Sequence, residues 1–341
     1  MQRAVIGNTG LEVNRLGFGG IPIQRADEDQ AVETVRHAVE KGVDFIDTSR
    51  AYTTSERRIG LALKQTDNKV ILASKSQKRT SDGIRGDLEK SLKRLQVEYI
   101  DIYQCHFVRD NAEYEQVISK GGALEALRKS KEEGLIGHIG ITSHSLDLLD
   151  RVLIDALFET IMVCFSFLEP AAREKIIPKA LEKKVGVLAM KPFSGGVIDN
   201  ATLALKYALS HPGIVVLAGV EHKDLFDENW RLFQGSFELD EREKQEIEEI
   251  RARYDKSFCR RCDYCQPCSE EIPIQVILGL RHMVKRMGKG FLQWDWPKGA
   301  IEKARNCSNC EECLARCPYE LPIPDLIREN LDWVDEQLVS P

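Results

Sequence analysis

Apolar residues along this chain gather in short dense runs, separated by longer stretches in which they recur every third or fourth position. Eight of the dense runs are RLGFGG (15–20), VDFIDTS (43–49), VILASKS (70–76), IDIYQCH (100–106), IGHIGITSH (136–144), TIMVCFSF (160–167), VGVLAMKPF (185–193) and IVVLAG (214–219). Runs of this kind read as strands. Between them, Ala31, Val35, Ala38 and Val39 in one stretch, and Ile84, Leu88, Leu92 and Leu95 in another, repeat at helical spacing. Near-continuous apolar strands alternating with amphipathic helices predict a parallel sheet covered by helices. Eight such units over roughly 220 residues predict an α/β fold, a (β/α)8 TIM barrel rather than an open doubly wound sheet.

Before the first strand, RAVIGNTGLEVNRL alternates around Asn8, Thr9 and Gly10 and predicts a hairpin over the barrel floor. After the eighth, DEREKQEIEEIRARYDK carries Ile247, Ile250 and Tyr254 along one face and reads as a solvated helix leading out of the barrel. The predicted organisation is a barrel over residues 1–238, a connecting helix over 239–256 and a small α-rich domain over 257–341.

The 341 residues are 43% hydrophobic and 30% charged, enough for one large core and a small appendage. With a net charge of −6 and no dense Lys/Arg stripe, the protein's field repels nucleic acid and anionic lipid, so neither is expected as a partner. The longest apolar runs, such as IVVLAGV (214–220), are too short to span a bilayer, and a cytoplasmic protein is expected.

Polar residues at the C-terminal ends of barrel strands meet at one mouth, where they read as chemistry. Asp47 ends the second strand, Tyr52 follows in the next loop, Lys75 ends the third strand and His106 the fourth. The 28 residues from Asp47 to Lys75 and the 31 from Lys75 to His106 are one strand–helix unit each, so the set arrives together. Singly, each residue has a structural explanation: a strand-end Asp caps a helix, and a lone Lys or His is satisfied in the core. Together they make a proton-donating site. A tyrosine, with a pKa of about 10, gives up its proton reluctantly at neutral pH, but a nearby ammonium stabilises the phenolate. Asp47 would hold Lys75 charged, and His106 would orient a carbonyl oxygen or help pass the proton.

FIDTSRAY (45–52), LASKS (72–76), YQCH (103–106), LGFGG (16–20) and IGITSH (139–144) stand in the order and at the spacing of the aldo-keto reductase family, which the chain resembles over residues 1–235. The resemblance implies that Asp47, Tyr52, Lys75 and His106 form a catalytic tetrad with Tyr52 as general acid. It also implies reduction of a small carbonyl substrate to an alcohol, or the reverse, with NAD(P)H lying across the mouth. Gly19, Gly20, Ile21 and Asp47 would touch that cofactor from the first loops, Ser143 would hold the nicotinamide amide, and Glu228 and Asn229 would lie near the adenine. Phe193 and Gly219 complete the implied contacts with four departures or near-departures: His144 for the usual Asn, Met162 for Gln, Met190 for a stacking Tyr, and Lys223 as the cation nearest the 2′-phosphate. The Lys, Ser and Arg that hold that phosphate in many members align with Gly219, Val220 and Leu225, so NADH is expected to compete with NADPH. No GxGxxG follows a strand and no Walker loop is present, so the cofactor rests on the resemblance.

Eight of the ten cysteines stand in two runs near the end of the chain. Cys307, Cys310, Cys313 and Cys317 form CxxCxxCxxxC followed by Pro318, the spacing of a bacterial ferredoxin, in which three cysteines bind one cubane and the fourth reaches another. Cys259, Cys262, Cys265 and Cys268 form CxxCxxCxxC, with Ser269 where Pro is usual. Disulfides do not suit a cytosolic enzyme, and the triplets fit iron–sulfur clusters better than zinc. Cys105 and Cys164, inside strands, read as core thiols. Between the runs, residues 270–300 read as a helix followed by a turn-rich insert around FLQWDWPKG. The tail resembles the two-cluster 4Fe-4S ferredoxin-like domain fused to one branch of aldo-keto reductases. That resemblance implies crossed ligation, with Cys259, Cys262, Cys265 and Cys317 on one cluster and Cys307, Cys310, Cys313 and Cys268 on the other.

A nicotinamide moves two electrons as hydride while each cubane moves one. Coupling them needs a flavin, for which the chain has no motif, so either an electron-transfer partner, a flavoprotein or ferredoxin, supplies that step or the clusters are structural or sensory. The alternative is a non-catalytic redox-sensing or electron-transfer module that keeps the barrel as a scaffold; the intact tetrad argues for the enzyme.

Overall fold

The structure, a computed structural model, describes residues 2–339. A hairpin comes first, with β1 (Arg3–Val5) antiparallel to β2 (Glu12–Asn14) and Ala4 opposite Val13. Eight parallel strands follow: β3 (Leu16–Gly19), β4 (Phe45–Asp47), β5 (Ile71–Ser76), β6 (Ile100–Cys105), β7 (Ile136–Thr142), β8 (Thr160–Cys164), β9 (Gly186–Met190) and β10 (Ile214–Ala218). They close into a barrel in chain order, with β10 pairing back onto β3 through Val216 and Leu16. The predicted barrel and its eight strands are therefore present. The hairpin also has its expected role: Ile6 and Val13 are buried in one apolar cluster with Phe45, Ile102, Leu188 and Val215, closing the interior from below.

The helices between strands bury the stripes that the spacing marked. Ala31, Val35, Ala38 and Val39 are buried on helix Glu28–Glu40, and Ile84, Leu88 and Leu95 on helix Ser81–Leu95. Side-chain caps fix where these helices begin: Asp27, Thr80, Asp110, Ser145 and Asn200 each accept a hydrogen bond from a backbone N–H three residues on. Because each of these five helices is the first α-helix to follow the C-terminal end of a barrel strand, these caps also hold the mouth loops in place.

The chain divides into two compact units. One comprises the residues up to Ser194 with Ile198–Leu239, and the other Gly195–Val197 with the residues from Asp240 onward. Helix Glu241–Tyr254, expected as a separate connector, falls in the second unit, opened by a reciprocal cap between Asp240 and Glu243. The described residues of that unit contain helices and no strand. Its core is its own, built on Ile277, Leu280, Phe291, Ala304, Ile327 and Val334. The insert read as turn-rich is instead a 3-10 turn, Lys289–Gln293, followed by helix Asp295–Ala304. Pro297 sits in that helix's first turn, where a missing N–H costs nothing. Among the described residues no helix is long and apolar enough to cross a membrane.

Candidate functional site

Asp47 is the last residue of β4, Lys75 lies one residue from the end of β5, and His106 directly follows β6, so parallel pairing delivers all three to the C-terminal mouth. Tyr52 stands in the loop between β4 and helix Ser55–Leu63. Lys75 Nζ donates to Asp47 Oδ2 at 2.5 Å and to the Thr48 carbonyl at 2.7 Å, and Gln104 Nε2 donates to Asp47 Oδ1 at 3.3 Å. The Lys75 ammonium lies 5.0 Å from the centroid of the half-buried Tyr52 ring, and that ring meets His106 edge-on with centroids 5.7 Å apart. The four predicted residues therefore form one cluster.

Burial decides the electrostatics. Asp47 is 4% exposed and Lys75 1%, so each charge has lost most of its water. Burial lifts the Asp47 carboxyl above the ordinary range against the pull of Lys75. The same burial works to lower Lys75, but Asp47 and Tyr52 outweigh it and hold the ammonium above the ordinary lysine value. His106 is driven well below the ordinary histidine value, first by burial and then by Lys75, Arg79 and Lys191. It is neutral near pH 7. A histidine kept neutral in the fold binds fewer protons than in the unfolded chain, so its contribution to stability is present above about pH 6.5 and declines as pH falls toward the lowered folded value. Denaturant midpoints measured from pH 7 to pH 5 should therefore fall less steeply for His106→Gln than for the parent.

The surrounding polar groups are tied down. Ser49, 1% exposed, hydrogen-bonds His106 Nδ1 at 3.0 Å and the Lys75 carbonyl at 3.1 Å. Arg79 donates to the carbonyls of His106 and Phe107 at 3.0 and 2.8 Å and to Glu113 at 2.8 Å, fastening the loop after β6. Behind β5, the buried Glu56 carboxylate accepts from Ser74 Oγ at 2.8 Å and from Arg50 at 2.6 Å.

The residues expected around a cofactor are spread along the same mouth. Gly19 ends β3 and Gly20 follows it, where Gly20 N–H donates to the Asp47 carbonyl at 2.7 Å; a Cβ on Gly20 would stand 2.8 Å from that oxygen, so the close approach requires glycine. Ile21 opens the turn Pro22–Gln24. Gly219 follows β10, and a Cβ there would stand 2.7 Å from Pro22. Ser143 is buried, donates to the Val108 carbonyl at 2.7 Å and accepts from Ser145 N–H at 3.1 Å, so its hydroxyl fastens a loop. His144 meets Lys191 Nζ at 2.9 Å and packs on Phe107, ring centroids 4.6 Å apart. Met162 is buried in the barrel's apolar interior and Met190 packs against the same cluster. Phe193 is half-buried. On helix Lys223–Phe233, Glu228 is exposed and Asn229 buried, while Lys223 Nζ is paired with Glu33 at 2.7 Å.

Ser49, Arg25 and Lys191 did not stand out in the sequence. Arg25, just beyond Gln24, donates Nε to Glu221 Oε1 at 2.8 Å, and its buried Nη1 has no hydrogen-bond partner among the described residues. Its partner lies 196 positions away, and no local spacing signals such a pair.

In the second unit the eight cysteines fall into two groups. Cys259, Cys262, Cys265 and Cys317 line one recess; Cys268, Cys307, Cys310 and Cys313 line another, which Cys265 also borders. Arg316 Nη1 donates to the Pro267 carbonyl at 2.5 Å, tying the end of the second run to the loop of the first. Burial pushes the thiols of Cys259 and Cys262 up, the latter to about 12, whereas Cys310 is exposed. Among the described residues no three His, Cys, Asp or Glu side chains converge as they would on a single metal ion. Cys105 and Cys164 are buried core thiols, as expected, and burial pushes Cys105 up to about 12.

Comparison with known proteins agrees with this architecture. The sequence profile of the aldo/keto reductase family matches residues 15–202. L-galactose dehydrogenase of Arabidopsis thaliana is 33% identical over 214 residues, 57% of this chain and 66% of its own length. Aldo-keto reductase YhdN of Bacillus subtilis is 29% identical over 219 residues, 59% of this chain and 64% of its own length. The match thus spans just under two thirds of these relatives. Among solved structures, the holo form of a Bacillus halodurans aldo-keto reductase aligns with a TM-score of 0.63 at 25% identity, over 73% of this chain and 96% of that one. An aldo-keto reductase of Klebsiella pneumoniae in complex with NADPH aligns at 0.63 and 19% identity, over 73% of this chain and 95% of its own, a likeness of fold.

Proposed function

Since this chain belongs to the aldo/keto reductase family, we propose that it is a nicotinamide-dependent oxidoreductase that interconverts a small carbonyl compound and its alcohol, with Asp47, Tyr52, Lys75 and His106 as its catalytic residues. The observation that carries this reading is the buried Lys75–Asp47 pair set beside the Tyr52 ring. A buried ion pair is a poor investment for stability alone, but a fixed ammonium next to a phenol stabilises the phenolate left when Tyr52 gives its proton to a carbonyl oxygen. Asp47 keeps the ammonium charged, and His106, neutral, meets the same oxygen by a hydrogen bond without adding a further charge.

Bound NAD(P)H would supply the hydride. The chain offers groups that fit it: the side-chain-free ledge of Gly19 and Gly20, Ile21, Asn229, and Arg25, whose buried Nη1 lacks an acceptor that a dinucleotide phosphate can provide. Where a 2′-phosphate would be held, Gly219, Val220 and the exposed Leu225 offer no charge, and Lys223 and Arg25 already face Glu33 and Glu221. Lys223, an exposed cation so paired, contributes under about 1 kcal/mol to phosphate binding, less than about tenfold in affinity. Steady-state kinetics should therefore give kcat/KM values for NADH and NADPH within about tenfold of each other; a preference of several orders of magnitude would overturn this account. The assay that tests the function itself is anaerobic turnover of both cofactors with a panel of small aldehydes, ketones and sugars, including the L-galactose of the Arabidopsis relative's name.

We also assign two 4Fe-4S clusters to the second unit, one held by Cys259, Cys262, Cys265 and Cys317, the other by Cys268, Cys307, Cys310 and Cys313. Support comes from the two recesses: one is lined by Cys259, Cys262 and Cys265 of the first run with Cys317 of the second, the other by Cys307, Cys310 and Cys313 of the second run with Cys268 of the first, Cys265 bordering both. Four irons and four sulfides fill the middle of such a site, so its cysteine sulfurs stand further apart than around one ion. The clusters would carry single electrons, and a flavoprotein or ferredoxin partner would link them to two-electron chemistry.

A further inference from the structure

From the contacts of the Ser49 hydroxyl, buried between the Lys75 carbonyl and the His106 ring, we infer that Ser49 is a positioning residue that fixes the His106 proton on Nε2. This rests on the reading of His106 as the residue that meets the substrate oxygen. A serine hydroxyl has one proton and two lone pairs. Here it has three neighbours: Ala51 N–H donates to it at 3.1 Å, the Lys75 carbonyl lies at 3.1 Å, and His106 Nδ1 lies at 3.0 Å. The Ala51 donor fills one lone pair. The proton then has two destinations, and they are not equally needy. The Lys75 carbonyl already accepts from Arg50 N–H at 3.0 Å, whereas Nδ1 has Ser49 as its one hydrogen-bond partner among the described residues.

Giving the proton to Nδ1 leaves every group partnered, so the ring carries its own proton on Nε2. Burial first, and then the charges of Lys75, Arg79 and Lys191, keep the ring neutral, so one tautomer or the other must hold. The Nε2–H form is a donor, which a carbonyl oxygen needs; the Nδ1–H form would present a lone pair to that oxygen and repel it. Ser49 therefore acts on the reaction through His106 without touching substrate.

The test is nitrogen NMR of protein labelled at histidine with 15N, the His106 signals being identified by their loss in His106→Gln. The parent is expected to show a protonated Nε2 and a bare, hydrogen-bonded Nδ1. In Ser49→Ala the two signals should move toward each other as the Nδ1–H tautomer becomes populated, and kcat for carbonyl reduction should fall roughly tenfold with KM for the cofactor unchanged. Ser49→Thr, which returns the hydroxyl, should restore both. A parent spectrum with Nδ1 protonated, or a pattern unchanged in Ser49→Ala, overturns the inference, and the parent spectrum decides the first point without any variant. If Tyr52→Phe proves harmless to turnover while Ser49→Ala still shifts the nitrogen signals, the catalytic reading fails and the control of the tautomer stands.

Discussion

Tyr52→Phe is expected to lower kcat for carbonyl reduction by on the order of a hundredfold or more while leaving cofactor binding intact. The change removes one oxygen and keeps the ring, so the packing against His106 and the contact with the Lys75 ammonium survive. What is lost is the proton donor. Lys75→Met should reduce turnover as well and carry a second signature. Without the ammonium the phenol holds its proton to higher pH, so the rise of alcohol oxidation with pH, which needs the phenolate, should shift upward. Since that variant also strands a buried carboxylate, Lys75→Met combined with Asp47→Asn should recover stability but not activity. Unchanged kcat in Tyr52→Phe for any carbonyl that the parent reduces would remove Tyr52 from the chemistry and favour the scaffold alternative.

Iron content gives the second large effect. Protein prepared without oxygen should carry about eight iron atoms per chain, and Cys317→Ser should bring that to about four. Crossed ligation makes the outcome specific. Cys317 belongs to the second run in sequence but lines the recess of the first, beside Cys259 and Cys262. Its loss should therefore extinguish the spectroscopic signal of the first-run cluster and spare the other. Cys268→Ser should do the converse, because Cys268 lines the recess of Cys307, Cys310 and Cys313. Loss of the second-run cluster in Cys317→Ser would refute the crossing, and four irons in the parent would refute the pair.

The barrel was legible because its strands are buried on both faces and so are largely apolar; VGVLAM and IVVLAG leave little alternative. The meeting of Asp47, Lys75 and His106 at one mouth was legible for a related reason: once the strands are placed, all three are at strand ends by counting. What the sequence could not reveal is how polar groups spend their hydrogen bonds. Ser143 reads as a cofactor ligand from its motif, and nothing in that motif shows that its hydroxyl donates to the Val108 carbonyl. Met162, named among the residues that a cofactor would touch, is buried in the barrel's apolar interior. Arg25 and Glu221 meet across the barrel's closing seam, and Ser49 reaches a ring 57 positions away. In each case the deciding partner is set by closure of the barrel, which leaves no periodic trace.

Closure also orders events in time. The edge of β3 finds its partner in β10, whose first residue is synthesised about 200 positions later, roughly 10–40 s at ordinary elongation rates. Any sheet that forms in that interval is open, with two unsatisfied borders, the kind of surface on which other chains nucleate aggregates. The finished barrel has no such border. Its vulnerability therefore lies in birth rather than in age: yield of the intact protein should respond to translation speed and chaperone supply far more than to conditions applied after purification.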